Sequence, residues 1–146
     1  MTFIDYITES SNMTDVRKTL SSLPVKHRRL VGGYNYVFQG NNTLKNDEKH
    51  VGLVDPKSKK ITLAAPWSYS REFCLLHEIG HLVWAKYIDE KLAEEWADIV
   101  KTTKQKMKDN DEEIFCMAYA THFAADKVAV HCHSQWDAFI RRILRL

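Results

Sequence analysis

Residues 70–87 read SREFCLLHEIGHLVWAKY, and the rest of the chain is best understood outward from them. Phe73, Leu76, Gly80 and Val83 or Trp84 recur at the three-to-four-residue spacing that lines one side of a helix. Within that segment, His77-Glu78-Ile79-Gly80-His81 forms an H-E-x-x-H pattern. Positions i and i+4 lie one turn apart on the same helix face, so both imidazoles can reach one metal ion. Glu78 projects beside them, where it can accept a proton from a water that the metal acidifies. With seven histidines in the chain, random placement produces this pattern about one time in fifty, so chance is a poor account of it. Gly80 costs a helix interior roughly 1 kcal/mol relative to alanine, which predicts that another element packs closely against the helix beside the metal.

Upstream, Phe3, Ile4 and Ile7, then Val16, Leu20 and Leu23, recur at helical spacing, and Pro24 closes that region. Tyr34, Tyr36 and Phe38 alternate as a strand does. Asn41-Asn42-Thr43 opens a polar loop. Val51 to Val54 and Ile61 to Ala64 read as short strands, and the Asp55-Pro56-Lys57-Ser58 turn between them predicts a hairpin. Pro66 punctuates, and Ser68 or Ser70 caps the H-E-x-x-H helix, which runs to about Tyr87.

Downstream, Leu92, Trp96, Ile99, Val100 and Met107 fit an amphipathic helix. Its lysines, Lys101, Lys104, Lys106 and Lys108, read as a solvated face rather than a basic patch, because the acidic run 109–113 follows at once. A further helix is predicted from near Asp111 to about Lys127. Ser134-Gln135-Trp136-Asp137 matches a capping pattern before a last helix bearing Trp136, Phe139, Ile140, Ile143 and Leu144. A helix, a small set of strands and then several helices make an α+β pattern.

The 146 residues, 45% hydrophobic and 27% charged with a net charge of +2, predict a single domain over 1–146 with a real core. That balance points neither to a nucleic-acid platform nor to disorder. The first ten residues lack the basic and apolar regions of a secretory signal. No stretch approaches the roughly 20 apolar residues of a membrane span, and the expected location is cytoplasmic. Cys74, Cys116 and Cys132 make an odd count with no C-x-x-C pair, which favours reduced, buried thiols. Cys132 lies between His131 and His133; a metal cluster and a plain histidine-rich loop fit that triplet equally.

Catalytic zinc commonly takes three protein ligands and keeps a fourth position for water. His77 and His81 supply two, and the third should come from another helix facing the same cleft. Glu112 and Glu113 are the candidates, both near a helix N-terminus where the dipole favours a carboxylate. Helical phase favours Glu113: Cys116, Met117, Ala120 and Phe123 or Ala124 continue its face inward. Glu112 points about 100° away, toward the rim. The plain alternative is that both acids serve only as N-terminal helix charges. For the oxyanion of a tetrahedral intermediate, His122, His131, His133 and Tyr119 are nearby in sequence, and no spacing singles one out. His27 and His50 fall outside any motif and read as ordinary surface or loop residues.

The H-E-x-x-H motif, the preceding Ile61-Thr62-Leu63 strand and the later Glu113-x-x-Cys116-x-x-Tyr119-Ala120 segment resemble the ImmA/IrrE-type zinc metallopeptidases. These are small gluzincins associated with mobile elements, phages and stress regulation. The resemblance covers roughly residues 30 to 127. It implies a minimal zincin-like domain, with a small sheet in the N-terminal half and the H-E-x-x-H helix packed on further helices. It also implies one Zn²⁺ held by His77, His81 and Glu113, with Glu78 as catalytic base. The strand near Ile61 to Ala64 would lie beside the cleft and bind an extended peptide by strand addition. Cys116 and Met117 stand where the family reads Ala-Asn, so a polar contact that tunes the metal is missing. The Leu-Met-Pro ending common in the family is absent after Ala125, and no helix-turn-helix segment is present.

The function expected is therefore a zinc endopeptidase acting on a protein or peptide partner, with a transcriptional regulator or repressor as the substrate the resemblance suggests. No direct nucleic-acid or membrane contact is expected. Two alternatives stand beside it: a non-catalytic, zinc-stabilised protein-binding module, and a zinc hydrolase of small amides. Glu78 argues against the first, because a structural site needs no base and more often uses four protein ligands.

Overall fold

The computed structural model describes residues 3–40, 52–65, 69–103, 110–124 and 133–146. Expectations about the loop from Asn41, about His50, Val51, Pro66 and Ser68, about Lys104, Lys106, Met107 and Lys108, and about Lys127, His131 and Cys132 lie outside the described residues. The elements run α1 (Phe3–Ser21), α2 (Val25–Leu30), β1 (Asn35–Gly40), β2 (Gly52–Asp55), β3 (Lys60–Ala65), α3 (Tyr69–Tyr87), α4 (Glu90–Thr102), α5 (Asp111–Phe123) and α6 (Ser134–Ile143). This is an α+β arrangement, with a small mixed sheet early in the chain and packed helices after it.

Pro24 does more than end a region. Its fixed φ, here −55°, suits the residue that opens a helix, and it is the N-cap of α2, an element not anticipated from the sequence. The hairpin is as expected. The Asp55 carboxylate accepts hydrogen bonds from the Lys57 N–H at 3.0 Å and the Ser58 hydroxyl at 2.8 Å, closing the turn between β2 and β3. The Ser58 hydroxyl, and then the Lys57 N–H, hold the Asp55 carboxyl below its ordinary pKa.

The strand order is β1-β3-β2, with β3 parallel to β1 and antiparallel to β2. A middle strand is covered on both faces, and Ile61, Thr62 and Leu63 are all buried. This corrects one expectation: β3 spends its hydrogen bonds on two neighbours and has no edge to offer a peptide. Among the described residues, the strand edge near the cleft belongs to β2.

α3 is the central helix, packed against α5 on one side, against β2 and β3 on another, and touching α1 and α2. Leu75, Leu76, Ile79 and Val83 are wholly buried, a broader stripe than the one expected, because α3 has neighbours on more than one side. Phe73 and Trp84 pack at its margins. Each such aliphatic side chain stabilises the fold by about 1.5–3 kcal/mol.

Asp89 caps α4, accepting from the Leu92 N–H at 2.8 Å. Trp96, wholly buried, stacks near Phe115, Trp136 and Phe139 and ties α4, α5 and α6 together. Two boundaries differ from expectation. α5 stops at Phe123, because Ala124 turns to extended backbone (φ −61°, ψ 134°). α6 is capped by His133 rather than Ser134, its ring Nδ1 accepting from the Gln135 N–H at 3.1 Å.

Candidate metal centre

α3 lays His77, Glu78 and His81 toward the N-terminal end of α5. Two contacts set where α5 begins. Asn110 caps it, accepting from the Glu113 N–H at 2.9 Å, and the Trp96 indole N–H donates to the Asp111 carbonyl at 2.8 Å. The first turn of α5 is thereby anchored to α4, and its acidic residues are delivered to the histidine pair.

Glu113 meets both histidines. Its Oε2 lies 2.8 Å from His77 Nε2, and its Oε1 lies 3.1 Å from His81 Nε2. The imidazole rings stand edge to face with centroids 5.2 Å apart. Glu112 is placed differently from the rim position expected of it: its Oε2 lies 2.7 Å from His81 Nδ1. A proton on Nδ1 donated to Glu112 leaves the other ring nitrogen facing inward, the usual way an outer carboxylate orients a metal-binding histidine. The two adjacent glutamates thus address different nitrogens of one ring.

Cys116 completes the cluster. It is a reduced, wholly buried thiol one turn after Glu113, and the ligand atoms of His77, His81 and Cys116 lie within 4.8 Å of one another. These residues form a group that can hold one metal ion. Gly80 explains the close approach: a Cβ built on it would stand 3.1 Å from Cys116 Cα and 3.2 Å from Sγ. Burial, and then the charges of Glu113, Glu112 and Glu78, push the Cys116 thiol well above its ordinary pKa. The same negative field favours a cation. By helical phase alone, Cys116 falls on the inward face as packing. The available signal was the Glu-x-x-Cys spacing, which sets a soft sulfur donor one turn from a carboxylate.

Glu78 is only 7% exposed. With His81 and Glu112 it lines a cleft of about 390 Å³ whose apolar side includes Leu53, Val54 and Leu82. Leu53 and Val54 belong to β2, so an edge strand borders the histidine face.

The remaining candidates among the described residues have other work. Tyr119 is wholly buried, with its hydroxyl 2.8 Å from His27 Nδ1. His27 is therefore not a surface residue; α2 carries it into the core, where it is 3% exposed. Burial, and then the charge of Lys26, lower its pKa to about 4. His122 Nδ1 lies 2.6 Å from Asp137, which also pairs with Arg141 at 3.0 Å. That contact staples α5 to α6.

No protein family, curated protein or solved structure matches the chain. Among the described residues, no helix is long and apolar enough to cross a membrane.

Proposed function

We propose that this chain is a zinc-dependent endopeptidase that cuts a specific protein partner. The observation that carries the reading is the convergence of His77 Nε2 and His81 Nε2 on the Glu113 carboxylate, at 2.8 and 3.1 Å, with Glu78 lining the adjoining cleft. Two imidazoles and a carboxylate suit zinc, which takes nitrogen, oxygen and sulfur donors alike. His77, His81 and Glu113 would hold it, and Glu112 would orient His81. Zinc, when bound, supplies a Lewis acid that acidifies water and polarises a carbonyl. Glu78 accepts the proton of the attacking water and returns it to the leaving amine. Its near burial keeps that carboxylate out of bulk water.

The β2 edge beside the cleft suits an extended peptide, which can add main-chain hydrogen bonds there and rest an apolar side chain near the half-exposed Leu53. This favours a peptide over a small amide. A regulator as the substrate, and the ImmA/IrrE-type assignment itself, rest on the sequence resemblance.

One observation favours a second reading. Cys116 Sγ lies within 4.8 Å of donor nitrogens on His77 and His81; with Glu113 it would make four protein donors, the mark of a structural zinc. Glu78→Gln separates the two. It preserves size and removes the basic carboxylate, so zinc content and fold should persist while cleavage is lost. Partners captured from the native cell by Glu78→Gln serve as substrates, incubated with zinc-loaded wild type, with the variant and with a chelator control. Fragments from wild type alone support the peptidase. Intact partners with wild type would turn the assignment to the binding module, and equal cleavage by both forms would remove Glu78 from the chemistry.

A further inference from the structure

Cys116 has no part in the chemistry above, yet its sulfur shares one cluster with nitrogens of both histidines. A buried cysteine ordinarily behaves as a small apolar side chain. Here the sulfur lies within 4.8 Å of donor nitrogens on both His77 and His81. It is held there by the crossing of α3 and α5 at Gly80, where a Cβ would come within 3.2 Å of Sγ. Zinc with nitrogens at about 2.0–2.1 Å and a thiolate at about 2.3 Å sets its donors roughly 3.5 Å apart. The three donors need to draw together by at most about 1.3 Å to reach that spacing. Glu113 precedes Cys116 by one helical turn and already contacts both rings, so α5 presents a carboxylate and a sulfur to the same pair.

We infer that Cys116 is a metal ligand, entering from the buried side, and that the resting centre is a closed set of His77, His81, Glu113 and Cys116. Metal entry releases the thiol proton to solvent, and the thiolate takes its place in the donor set. The inference rests on the zinc reading and assigns regulation to the same site: four protein donors leave no position for water, so hydrolysis waits until one of them is displaced.

Cobalt(II) loaded into the full chain in place of zinc tests this without any substrate. Wild type should show the intense near-ultraviolet band of a thiolate bound to cobalt. Cys74→Ser/Cys132→Ser should keep it, and Cys116→Ser should lose it while still binding about one cobalt. Acetohydroxamate, which needs an open position, should move the visible bands of cobalt-loaded Cys116→Ser at concentrations at least about tenfold lower than for wild type, the scale on which metal-site interactions read. Cobalt-loaded wild type without the thiolate band would overturn Cys116 as a ligand and leave the zinc reading standing. A thiolate band with equal hydroxamate response in both proteins would overturn the closed centre. A wild type that binds no cobalt would overturn the metal reading itself, and this inference with it. Should Cys116→Ser not fold, the double variant, in which Cys116 is the remaining thiol, carries the ligand test alone.

Discussion

His81 makes contacts through both ring nitrogens, to Glu112 at 2.7 Å and to Glu113 at 3.1 Å. The neighbouring glutamates should therefore fail differently. Glu113→Ala removes an atom that contacts both histidines and is expected to cost the most zinc affinity. Glu112→Ala leaves the donors in place and frees only the orientation of one ring, a loss of about 10–100-fold. Glu112→Gln retains an acceptor and should recover part of it. Competition with a chromogenic chelator ranks the three, and a reversed order of Glu112 and Glu113 would show that the first turn of α5 is misassigned. His77→Ala and His81→Ala should each remove most of the bound metal, read by elemental analysis. Burial alone does not distinguish these residues, since Glu112 and Glu113 keep side-chain exposures of 42% and 33%; what does is which nitrogen each carboxylate meets.

The crossing of α3 over α5 depends on Gly80. Alanine there gains roughly 1 kcal/mol of helix propensity. Its Cβ, however, would meet Cys116 Cα at 3.1 Å, tighter than ordinary contact, and that atom is backbone and cannot swing away. Overpacking of this kind costs about 1–3 kcal/mol, so Gly80→Ala should destabilise on balance and loosen the metal donors. Adding Cys116→Ala should not restore stability, because the nearest clash is with the main chain. Urea titrations of the single and double variants check both statements, and a stabilised Gly80→Ala would mean the helices are farther apart than described. The expectation of close packing at this glycine came from the sequence and was met. The partner was not legible, because periodicity reports which face of a helix is buried and not what covers it.

Across the whole molecule, α2 and α5 are joined through His27 and Tyr119, a buried pair 92 residues apart in sequence. The unfolded chain takes up the His27 proton near pH 6.5, whereas the folded chain does so only near pH 4. Between those values the unfolded state binds more protons. The contribution of His27 to stability is therefore complete above about pH 6.5 and is lost progressively as pH falls toward 4. The loss is on the order of 2 kcal/mol after discounting for solvent screening. His27→Gln retains an acceptor for the Tyr119 hydroxyl and does not titrate, so its stability should fall less over the same range in urea titrations at several pH values. Parallel acid sensitivity in the variant would place the effect elsewhere.

Local spacing was enough to find the H-E-x-x-H helix and its extent to Tyr87, the β2–β3 hairpin, the apolar face of α6 and the α+β order, because each depends on contacts within a few residues. The same spacing ranked Glu113 ahead of Glu112 as the inward carboxylate, and Glu113 is the one that meets both Nε2 atoms. Other features depend on segments far apart in the chain. β3 became the middle strand only when β1 paired with it in parallel, which among the described residues leaves the edge beside the cleft to β2. Glu112 acquired His81 Nδ1, His27 acquired Tyr119, and Cys116 joined the histidine pair only when α3, α5 and α2 packed together. A sequence states periodicity and donor chemistry, because those are local; which donors share a point in space is decided by helix crossings and strand pairings, which are not.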